Sequence, residues 1–205
     1  MTKFVLYVEG GGNQSDSKAL LRQAFVRLFS SALANRGVYR KPKIVVCGSI
    51  QQTLKHFESA VSTATDGICA VLVDADGPVE TGRDPAAHLS ENHGWAKPKQ
   101  STAEQIHRMV QTMEAWIVAD RDAIQEYYGG GVHLNSLSNR KNVEEIPKLE
   151  LERGLKQATR STKKGEYHKI RHACQLLPRI SAAKVAARAQ HFKRLLDFMA
   201  SRLGS

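Results

Sequence analysis

Two short apolar runs in this chain end abruptly in acidic side chains, and this feature constrains the fold most. Residues 4–8 (FVLYV) run into Glu9 and three glycines, and residues 68–73 (ICAVLV) run into Asp74 and Asp76. An apolar run of this length is typical of a strand that is buried on both faces, as in parallel sheets. The sequence therefore favours a sheet that presents carboxylates at one edge.

Segments with helical spacing of apolar residues lie between these runs. The sequence predicts helices over residues 15–34 and 50–61, a strand over 43–47 between them, and a turn at 65–67 before the next strand. A fourth strand is predicted over 106–111. Because strands that alternate with helices are typical of α/β folds, we expect an open, mostly parallel sheet flanked by helices.

The rest of the chain shows mainly helical patterns. Residues 77–100 carry prolines, histidines and charges without periodicity, and we expect a long surface loop there. Residues 113–120 lead into a predicted helix over 121–128. After a polar linker, further helices are predicted over 147–158, 167–177 and 182–203, with a basic loop at 159–165.

Charge is distributed unevenly along the 205 residues, whose formal net charge is +10. Residues 121–205 hold 17 Lys and Arg against 8 Asp and Glu, whereas residues 1–120 hold 13 against 12. We expect an α/β catalytic core over 1–130 and a basic helical extension over 131–205 that packs on it. The asymmetry favours contact with a polyanion such as nucleic acid, although a merely solvated basic surface is the alternative. The candidate phosphate contacts are Lys163, Lys164, Lys169, Arg171 and His172.

Cysteine content and hydropathy bear on where the protein acts. Cys47, Cys69 and Cys174 are odd in number and widely spaced, which argues against a disulfide framework and a structural zinc site. No apolar run approaches the roughly 18–20 residues that a membrane helix needs. We therefore expect a cytoplasmic protein without a membrane partner.

The carboxylates at the strand ends are the candidate site for chemistry. In open α/β sheets ligands bind outside the carboxyl ends of the strands, so Glu9, Asp74 and Asp76 should face one crevice. Two like unit charges about 4 Å apart repel by about 4 kcal/mol at an effective dielectric of about 20, and a cation would relieve this repulsion. Ligand sets made of oxygen favour Mg²⁺ or Mn²⁺ over zinc. The alternative is a set of ordinary turn carboxylates.

The segments VLYVEG, which contains Glu9, and VLVDADG, which contains Asp74 and Asp76, resemble the Toprim signature of topoisomerases, primases and OLD-family nucleases. The resemblance implies that these three residues are catalytic. Glu9 would act as a general acid/base or metal ligand, and the two aspartates would hold a divalent metal. It also implies that Glu114 is a ligand for a second ion, and the alternative for Glu114 is an ion pair with a local Arg or Lys. Asp16 is either a further metal ligand or a cap of the first helix.

The later segments MEAWIVAD, YHKIRHACQLL and HFKRLLDF resemble a prokaryotic Toprim-like family of unknown function that is often encoded beside an ATPase in phage-defence loci. This resemblance implies a role in antiviral defence and an ATPase as a partner protein. It extends over nearly the whole chain, although these later motifs are loose.

Three functions are compatible with these patterns. The first is a Mg²⁺-dependent Toprim-type nuclease that acts on DNA or RNA. The second is a non-catalytic nucleic-acid-binding or ATPase-binding subunit with a structural Mg²⁺ site, and the third is an enzyme that transfers phosphate or nucleotidyl groups to a small substrate. A P-loop is excluded, because no Gly-Lys-Ser/Thr follows the glycines at 10–12.

Overall fold

The computed structural model describes residues 3–63, 67–79 and 82–204, which contain a sheet of four parallel strands. The strands are β1 (Lys3–Glu9), β2 (Lys43–Gly48), β3 (Gly67–Asp74) and β4 (Ile106–Met109), in the spatial order β2-β1-β3-β4. The predicted α/β class with an open parallel sheet is confirmed. In the predicted turn at 65–67, residues 65 and 66 lie outside the described residues.

Helices flank both faces of this sheet. They are α1 (Ser15–Ala34), α2 (Ile50–Thr63), α3 (Pro85–His93), α4 (Met113–Ala119), α5 (Arg121–Tyr128), α6 (Lys148–Thr159), α7 (Ala173–Leu176), α8 (Ala182–Arg188) and α9 (Gln190–Leu203). Short 3₁₀ turns occur at Ala103–Gln105, Leu134–Ser136 and Val143–Glu145. Among the residues that the structure describes, no helix is both long enough and apolar enough to span a lipid bilayer.

Two hydrophobic clusters form on the two faces of the sheet, because successive side chains of a strand point in opposite directions. Leu6 and Val8 of β1 are buried in the larger cluster, together with α1 and the helices that follow β4. Val71 and Val73 of β3 pack in the smaller cluster against α2 and α3. The larger cluster extends along the chain as far as α9, so side chains from both sides of residue 130 share one core.

The predicted long loop at 77–100 is wrong in part, because it contains α3. The Asp84 side chain accepts a hydrogen bond from the Ala86 backbone N–H at 3.0 Å, and Pro85 occupies the first helical position. Gly94 ends the helix in the left-handed conformation, with φ of 62°. An aspartate cap, an N-terminal proline and a terminal glycine are ordinary helix signals, and the polar composition of the segment obscured them.

The predicted C-terminal helices are shorter and more broken than expected. The helix predicted over 182–203 is interrupted at Ala189, where the Glu144 carboxylate accepts a hydrogen bond from the His191 backbone N–H at 2.8 Å. Of the helix predicted over 167–177, only the last turn forms as α7. The Tyr167 backbone N–H instead donates to the Thr159 hydroxyl at 2.7 Å. These breaks follow from contacts between distant residues, which the local pattern does not contain.

Candidate active site

The carboxyl ends of β1 and β3 lie side by side in the middle of the sheet. The chain passes from β1 to β2 on one side and then to β3 on the other, and such a switch in strand order opens a ligand-binding crevice. Glu9 is the last residue of β1 and Asp74 the last of β3. Glu9 Oε2 accepts a hydrogen bond from the Asp74 backbone N–H at 3.1 Å. The structure thus brings these two predicted site residues together.

Asp76 lies two residues further along, on an exposed turn. Its φ of 56° is in the left-handed region, which aspartate tolerates better than most residues. The Asp76 backbone N–H donates to the Gln111 carbonyl at 3.0 Å, which ties the turn to the segment after β4. The Asp76 carboxylate accepts a hydrogen bond from Lys148 Nζ at 2.6 Å. A cation from α6 therefore neutralises this carboxylate.

Glu114 is a fully buried carboxylate in the first turn of α4. Its Oε1 accepts a hydrogen bond from the Tyr167 hydroxyl at 3.1 Å. Its Oε2 lies 3.8 Å from Lys169 Nζ, which is too far for a hydrogen bond but close enough for an ion pair. The segments MEAWIVAD and YHKIRHACQLL therefore meet at this glutamate, and both contribute to its surroundings.

We call Glu9, Asp74, Asp76 and Glu114, together with Lys148 and Lys169, the acidic site. Burial raises the pKa of Asp74 to about 8, and the neighbouring Glu9, Glu114 and Asp76 carboxylates add to the rise while Lys169 opposes it. Burial likewise raises the pKa of Glu9 to about 7. The hydrogen bond to Asp76 raises the pKa of Lys148. A cation bound beside these carboxylates would lower their pKa values, because it favours their charged forms.

The glycines after Glu9 serve close packing of α1 against the end of β1. Gly10 adopts φ of 136°, and a Cβ atom there would lie 2.7 Å from the Leu21 side chain. At Gly11, with φ of 76°, a Cβ atom would meet the Lys18 Cγ at 2.9 Å. Gly10 and Gly11 therefore allow α1 to approach the end of β1 closely, whereas at Gly12 a Cβ atom would meet nothing within 4 Å.

Asp16 lies apart from these carboxylates. It is exposed in the first turn of α1, and its Oδ1 accepts a hydrogen bond from the Ser15 hydroxyl at 3.3 Å. Gln14 occupies the N-cap position, so the predicted cap role of Asp16 is wrong. Among the described residues, no hydrogen bond or ion pair joins Asp16 to Glu9, Asp74 or Asp76. The structure therefore does not bring it to the acidic site.

The acidic site offers the oxygen donors that Mg²⁺ prefers. Asp74 Oδ1 and Glu114 Oε2 are buried, and neither has a hydrogen-bond partner among the described residues. Within the same residues, no three Asp, Glu, His or Cys side chains form a group that could hold a metal ion by themselves. Mg²⁺ keeps several waters and is usually bound by one or two carboxylates plus substrate phosphates. The residues thus fit an open Mg²⁺ or Mn²⁺ site better than a closed structural one.

Comparison with known proteins identifies a family for this chain. The family model of a domain of unknown function, DUF4276, matches residues 8–200. The chain belongs to the DUF4276 family. No curated protein and no solved structure matches it. The matched residues include every side chain of the acidic site, from Glu9 to Lys169.

In this DUF4276 chain the residues predicted to contact phosphate differ from one another in their surroundings. Lys163 and Lys164 are exposed in the loop after α6, and Lys164 Nζ lies 5.1 Å from the centre of the Tyr127 ring. Arg171 is also exposed. Lys169, in contrast, reaches the buried Glu114 and so belongs to the acidic site.

His172 does not lie where it could contact a phosphate, and its predicted role is corrected. It is 2% exposed, and its Nδ1 lies 2.7 Å from the Tyr128 hydroxyl. The His168 backbone N–H also donates to this nitrogen, at 3.1 Å. Burial, with Arg171 beside it, lowers the pKa of His172, which favours the neutral ring. It is a core histidine that holds the segment after Tyr167 in place.

Sequence reasoning missed two side chains of the site's surroundings, Lys148 and Tyr167. Lys148 is the first residue of α6, and its backbone N–H donates to the Gln111 side chain at 3.0 Å. Tyr167 immediately precedes the HK pair in YHKIRH. The only signal in the sequence was that YHKIRH resembles a family motif, and nothing local linked Lys148 to Asp76.

Proposed function

We propose that this chain is a Mg²⁺-dependent nuclease of the Toprim type, which cleaves phosphodiester bonds in DNA or RNA. The observation that carries the proposal is the proximity of two strand-end residues, Glu9 and Asp74: the Glu9 carboxylate accepts a 3.1 Å hydrogen bond from the Asp74 backbone N–H. Two lysines lie close by, on the neighbouring Asp76 and Glu114. Carboxylates at a sheet crevice suit a divalent metal, and lysines beside them suit the negative charge of a phosphate.

Five of the six groups of the acidic site then have a defined task, and the sixth, Glu114, holds Lys169 beside the site. Asp74 and Asp76 would hold the metal, which when bound supplies a Lewis acid that polarises the scissile phosphate. Glu9 has its pKa raised to about 7, which suits proton transfer from the attacking water or to the leaving oxygen at neutral pH. Lys148 and Lys169 would stabilise the negative charge that develops on the phosphate oxygens.

The wider setting rests on the resemblance to Toprim-like proteins. By that resemblance the nuclease is the effector of a prokaryotic anti-phage defence system and has an ATPase as its partner. Its three widely spaced cysteines support a cytoplasmic location. The exposed Lys163, Lys164 and Arg171 would hold the nucleic acid through its phosphates, which position a strand without reading its sequence.

A second candidate function is a non-catalytic subunit that binds nucleic acid or the ATPase. The pairing of charges favours it: Lys148 lies 2.6 Å from Asp76, and Lys169 lies 3.8 Å from Glu114. These lysines compensate part of the negative charge without a metal. A site that is already compensated can serve structure alone.

A cleavage assay with the full chain separates the two. Labelled single-stranded DNA, duplex DNA and RNA are incubated in Mg²⁺, Mn²⁺ or EDTA. The nuclease proposal expects metal-dependent cleavage of at least one substrate, its loss in Asp74→Asn and Glu9→Gln, and its retention in Glu126→Gln. Glu126 is an exposed carboxylate on α5 and serves as the matched control.

Three results would change this conclusion. Cleavage that continues in EDTA, or in Asp74→Asn at the wild-type rate, contradicts the metal-dependent mechanism. Binding of nucleic acid without cleavage of any substrate favours the second candidate. If Lys148→Met cleaves at the wild-type rate, that lysine only neutralises Asp76 and does not act on the phosphate.

A further inference from the structure

A second charged site lies at the β4 edge of the sheet, away from the acidic site. It is a cavity of about 580 Å³ between the start of α3, β4 and the start of α9. Its charged lining comprises Arg83, Asp84, Arg108, Lys193, Arg194 and Asp197. We call it the cationic cavity. None of the six residues of the acidic site lines it.

Arg108 is the central feature of this cavity. It lies within β4 and is only 3% exposed. Its Nη2 donates to the Arg83 carbonyl at 3.2 Å and lies 3.4 Å from His191 Nε2. Its Nε and Nη1 have no hydrogen-bond partner among the described residues. A buried guanidinium with unused donors is unfavourable unless an anion accepts them.

Arg194 adds a second guanidinium in a fixed position. Its Nη1 and Nη2 donate to the carbonyls of Ile106 and Ala103, each at 2.8 Å, so the side chain is held against the edge of the sheet. Carbonyls orient this group but do not neutralise its charge. Within the described part of the chain, neither Arg108 nor Arg194 forms an ion pair with a carboxylate.

The other charges of the cavity are largely compensated. Lys193 Nζ lies 2.6 Å from Asp197, and Arg83 pairs with Glu91. The Asp84 carboxylate caps α3. Across the whole lining, four cations against two carboxylates leave two positive charges in excess, and Arg108 and Arg194 are the cations that form no ion pair within the described residues. Burial and the proximity of Arg194 and Arg83 lower the pKa of Arg108 to about 10, as expected for crowded cations.

We propose that the cationic cavity binds a phosphate monoester. At neutral pH this group carries a charge of about −1.5 to −2, which matches the two excess guanidinium charges. The planar guanidinium group of arginine also fits phosphate oxygens, and Arg108 keeps two donors, Nε and Nη1, without a hydrogen-bond partner among the described residues. A volume of about 580 Å³ holds more than a lone phosphate and is in the usual range for small-molecule sites. The ester is either a free nucleotide or the phosphorylated end of a nucleic acid.

This inference does not depend on the proposed nuclease activity, so it is tested without metal. Calorimetric titrations of the full chain in EDTA use AMP, adenosine and inorganic phosphate. A second set uses short oligonucleotides with either a 5′-phosphate or a 5′-hydroxyl. We expect AMP to bind at least about tenfold more tightly than adenosine, because adenosine lacks the charged acceptor. Preference for AMP assigns the site to free nucleotides, and preference for the 5′-phosphorylated oligonucleotide assigns it to strand ends.

Variants locate the binding. Arg108→Met should weaken AMP binding by about tenfold to a hundredfold, since it removes charge-assisted hydrogen bonds. Lys193→Ala, an exposed change with little effect on folding, should weaken it by a smaller factor. Arg153→Met, at an exposed arginine on α6, is the control and should bind as wild type does.

The outcomes that overturn the proposal are specific. They are equal binding of AMP and adenosine, no binding of any phosphate ester, or wild-type affinity in both Arg108→Met and Lys193→Ala. Because Asp74→Asn lies outside the cavity, it should bind AMP normally. If the chain binds AMP but cleaves no substrate, the proposal of a phosphate-binding cavity stands and the nuclease proposal is rejected.

Discussion

The acidic site and the cationic cavity are both built around buried charge, but they compensate it differently. In the acidic site carboxylates and lysines are mixed, and the lysines approach Asp76 and Glu114 to 2.6 and 3.8 Å. In the cationic cavity two guanidinium charges remain without a carboxylate from the described residues. Each site nevertheless leaves buried polar atoms without hydrogen bonds: Asp74 Oδ1 and Glu114 Oε2 in the first, Arg108 Nε and Nη1 in the second.

This difference indicates what each site lacks. In the acidic site lysines already offset part of the negative charge of the carboxylates. A divalent metal that keeps several of its waters would suffice to offset the remainder. The cationic cavity favours an anion, because neither Arg108 nor Arg194 forms an ion pair within the described residues, although the Asp84 carboxylate lies in the same lining. The two sites therefore differ in the sign of the expected ligand, and each can be disabled separately.

The largest effects are expected from one substitution in each site, and each substitution should change only the activity or binding of its own site. Asp74→Asn should lower metal-dependent cleavage by about 10²–10³-fold, the usual scale for the loss of one charge-stabilising group, and leave AMP binding unchanged. Arg108→Met should do the reverse: AMP binding falls while the cleavage rate of a 5′-hydroxyl oligonucleotide stays as in wild type. Rates at saturating oligonucleotide and calorimetric affinities measure both effects.

Similar behaviour of Asp74→Asn and Arg108→Met would contradict the independence of the two sites. Loss of both properties in either protein, with an unchanged circular dichroism spectrum, would mean that the sites are one functional unit. A variant that has lost its helical signal tests neither, so the exposed variant Lys193→Ala then replaces Arg108→Met and Asp76→Ala replaces Asp74→Asn.

The acidic site was more accessible to sequence reasoning than the cavity, and the cause is physical. Glu9 and Asp74 end apolar strands, and the carboxyl ends of neighbouring parallel strands must share one edge of the sheet. Lys148 reaches Asp76 across 72 positions of sequence, and Arg194 reaches the Ile106 carbonyl across 88, so tertiary packing alone brings these two cations to their sites. Arg108 looks unremarkable in the sequence, because an arginine in a short edge strand is usually solvated.

The fold shows the same division between local and distant causes. The strands were predicted from short continuous apolar runs, and α1 from apolar residues that recur at helical spacing. The break at Ala189 was missed because it depends on Glu144, which meets His191 from 47 positions away. The start of α3 was different: Asp84 and Pro85 are local signals, and the lack of periodicity around them obscured a helix that was predictable.

The next expected effect is on stability as a function of pH. The folded chain holds the Asp74 proton up to about pH 8, whereas an unfolded aspartate, with an ordinary pKa of 3.8, loses it near pH 4. The stability that this proton contributes is therefore fully present below pH 4 and is lost as pH rises through 8. Asp74→Asn has no such proton to lose. We expect its free energy of unfolding, relative to wild type, to increase by about 1–3 kcal/mol between pH 5 and pH 8.5.

Urea unfolding in EDTA at several pH values measures this difference. The free energy of unfolding of Glu126→Gln, a substitution at an exposed position, should depend on pH as that of wild type does. If the free energy of unfolding of Asp74→Asn shows the same pH dependence as that of wild type, the Asp74 carboxyl is ionised in the folded chain. The negative charge of the acidic site is then already offset without a metal.

A smaller effect is expected from Mg²⁺ itself. A ligand that binds only the folded state stabilises it by about 1.4 kcal/mol at tenfold excess over Kd. Mg²⁺ should therefore raise the Tm of wild type and have much less effect on Asp74→Asn. Lys148→Met should show a larger rise than wild type, because the lysine that competes for Asp76 is gone, while Lys41→Met at an exposed position should match wild type. Equal rises in all four proteins would show that the ion binds elsewhere.

The smallest effect concerns the exposed loop after α6, which differs from both sites because its lysines are not buried. Thr162 and Gly165 close this loop, and Lys164 stacks on Tyr127 while Lys163 is exposed to solvent. If both lysines contact backbone phosphates, Lys163→Ala/Lys164→Ala should flatten the slope of log Kobs against log salt by about one to two units, since each phosphate neutralised contributes about 0.7 to 0.9. Affinity should fall similarly for every sequence.

Filter binding in EDTA from low to moderate salt measures this slope, with Lys41→Ala as a control outside the loop. The single variants sharpen the result. Lys163→Ala should change only the slope, whereas Lys164→Ala should also lower the Tm slightly because its ring contact is lost. A double mutant with the wild-type slope would make the loop a solvated surface. The predicted contact between this basic region and a polyanion would then depend on Arg171 and on the guanidinium groups of the cationic cavity. In that case Arg108→Met should be the variant that flattens the slope of log Kobs against log salt.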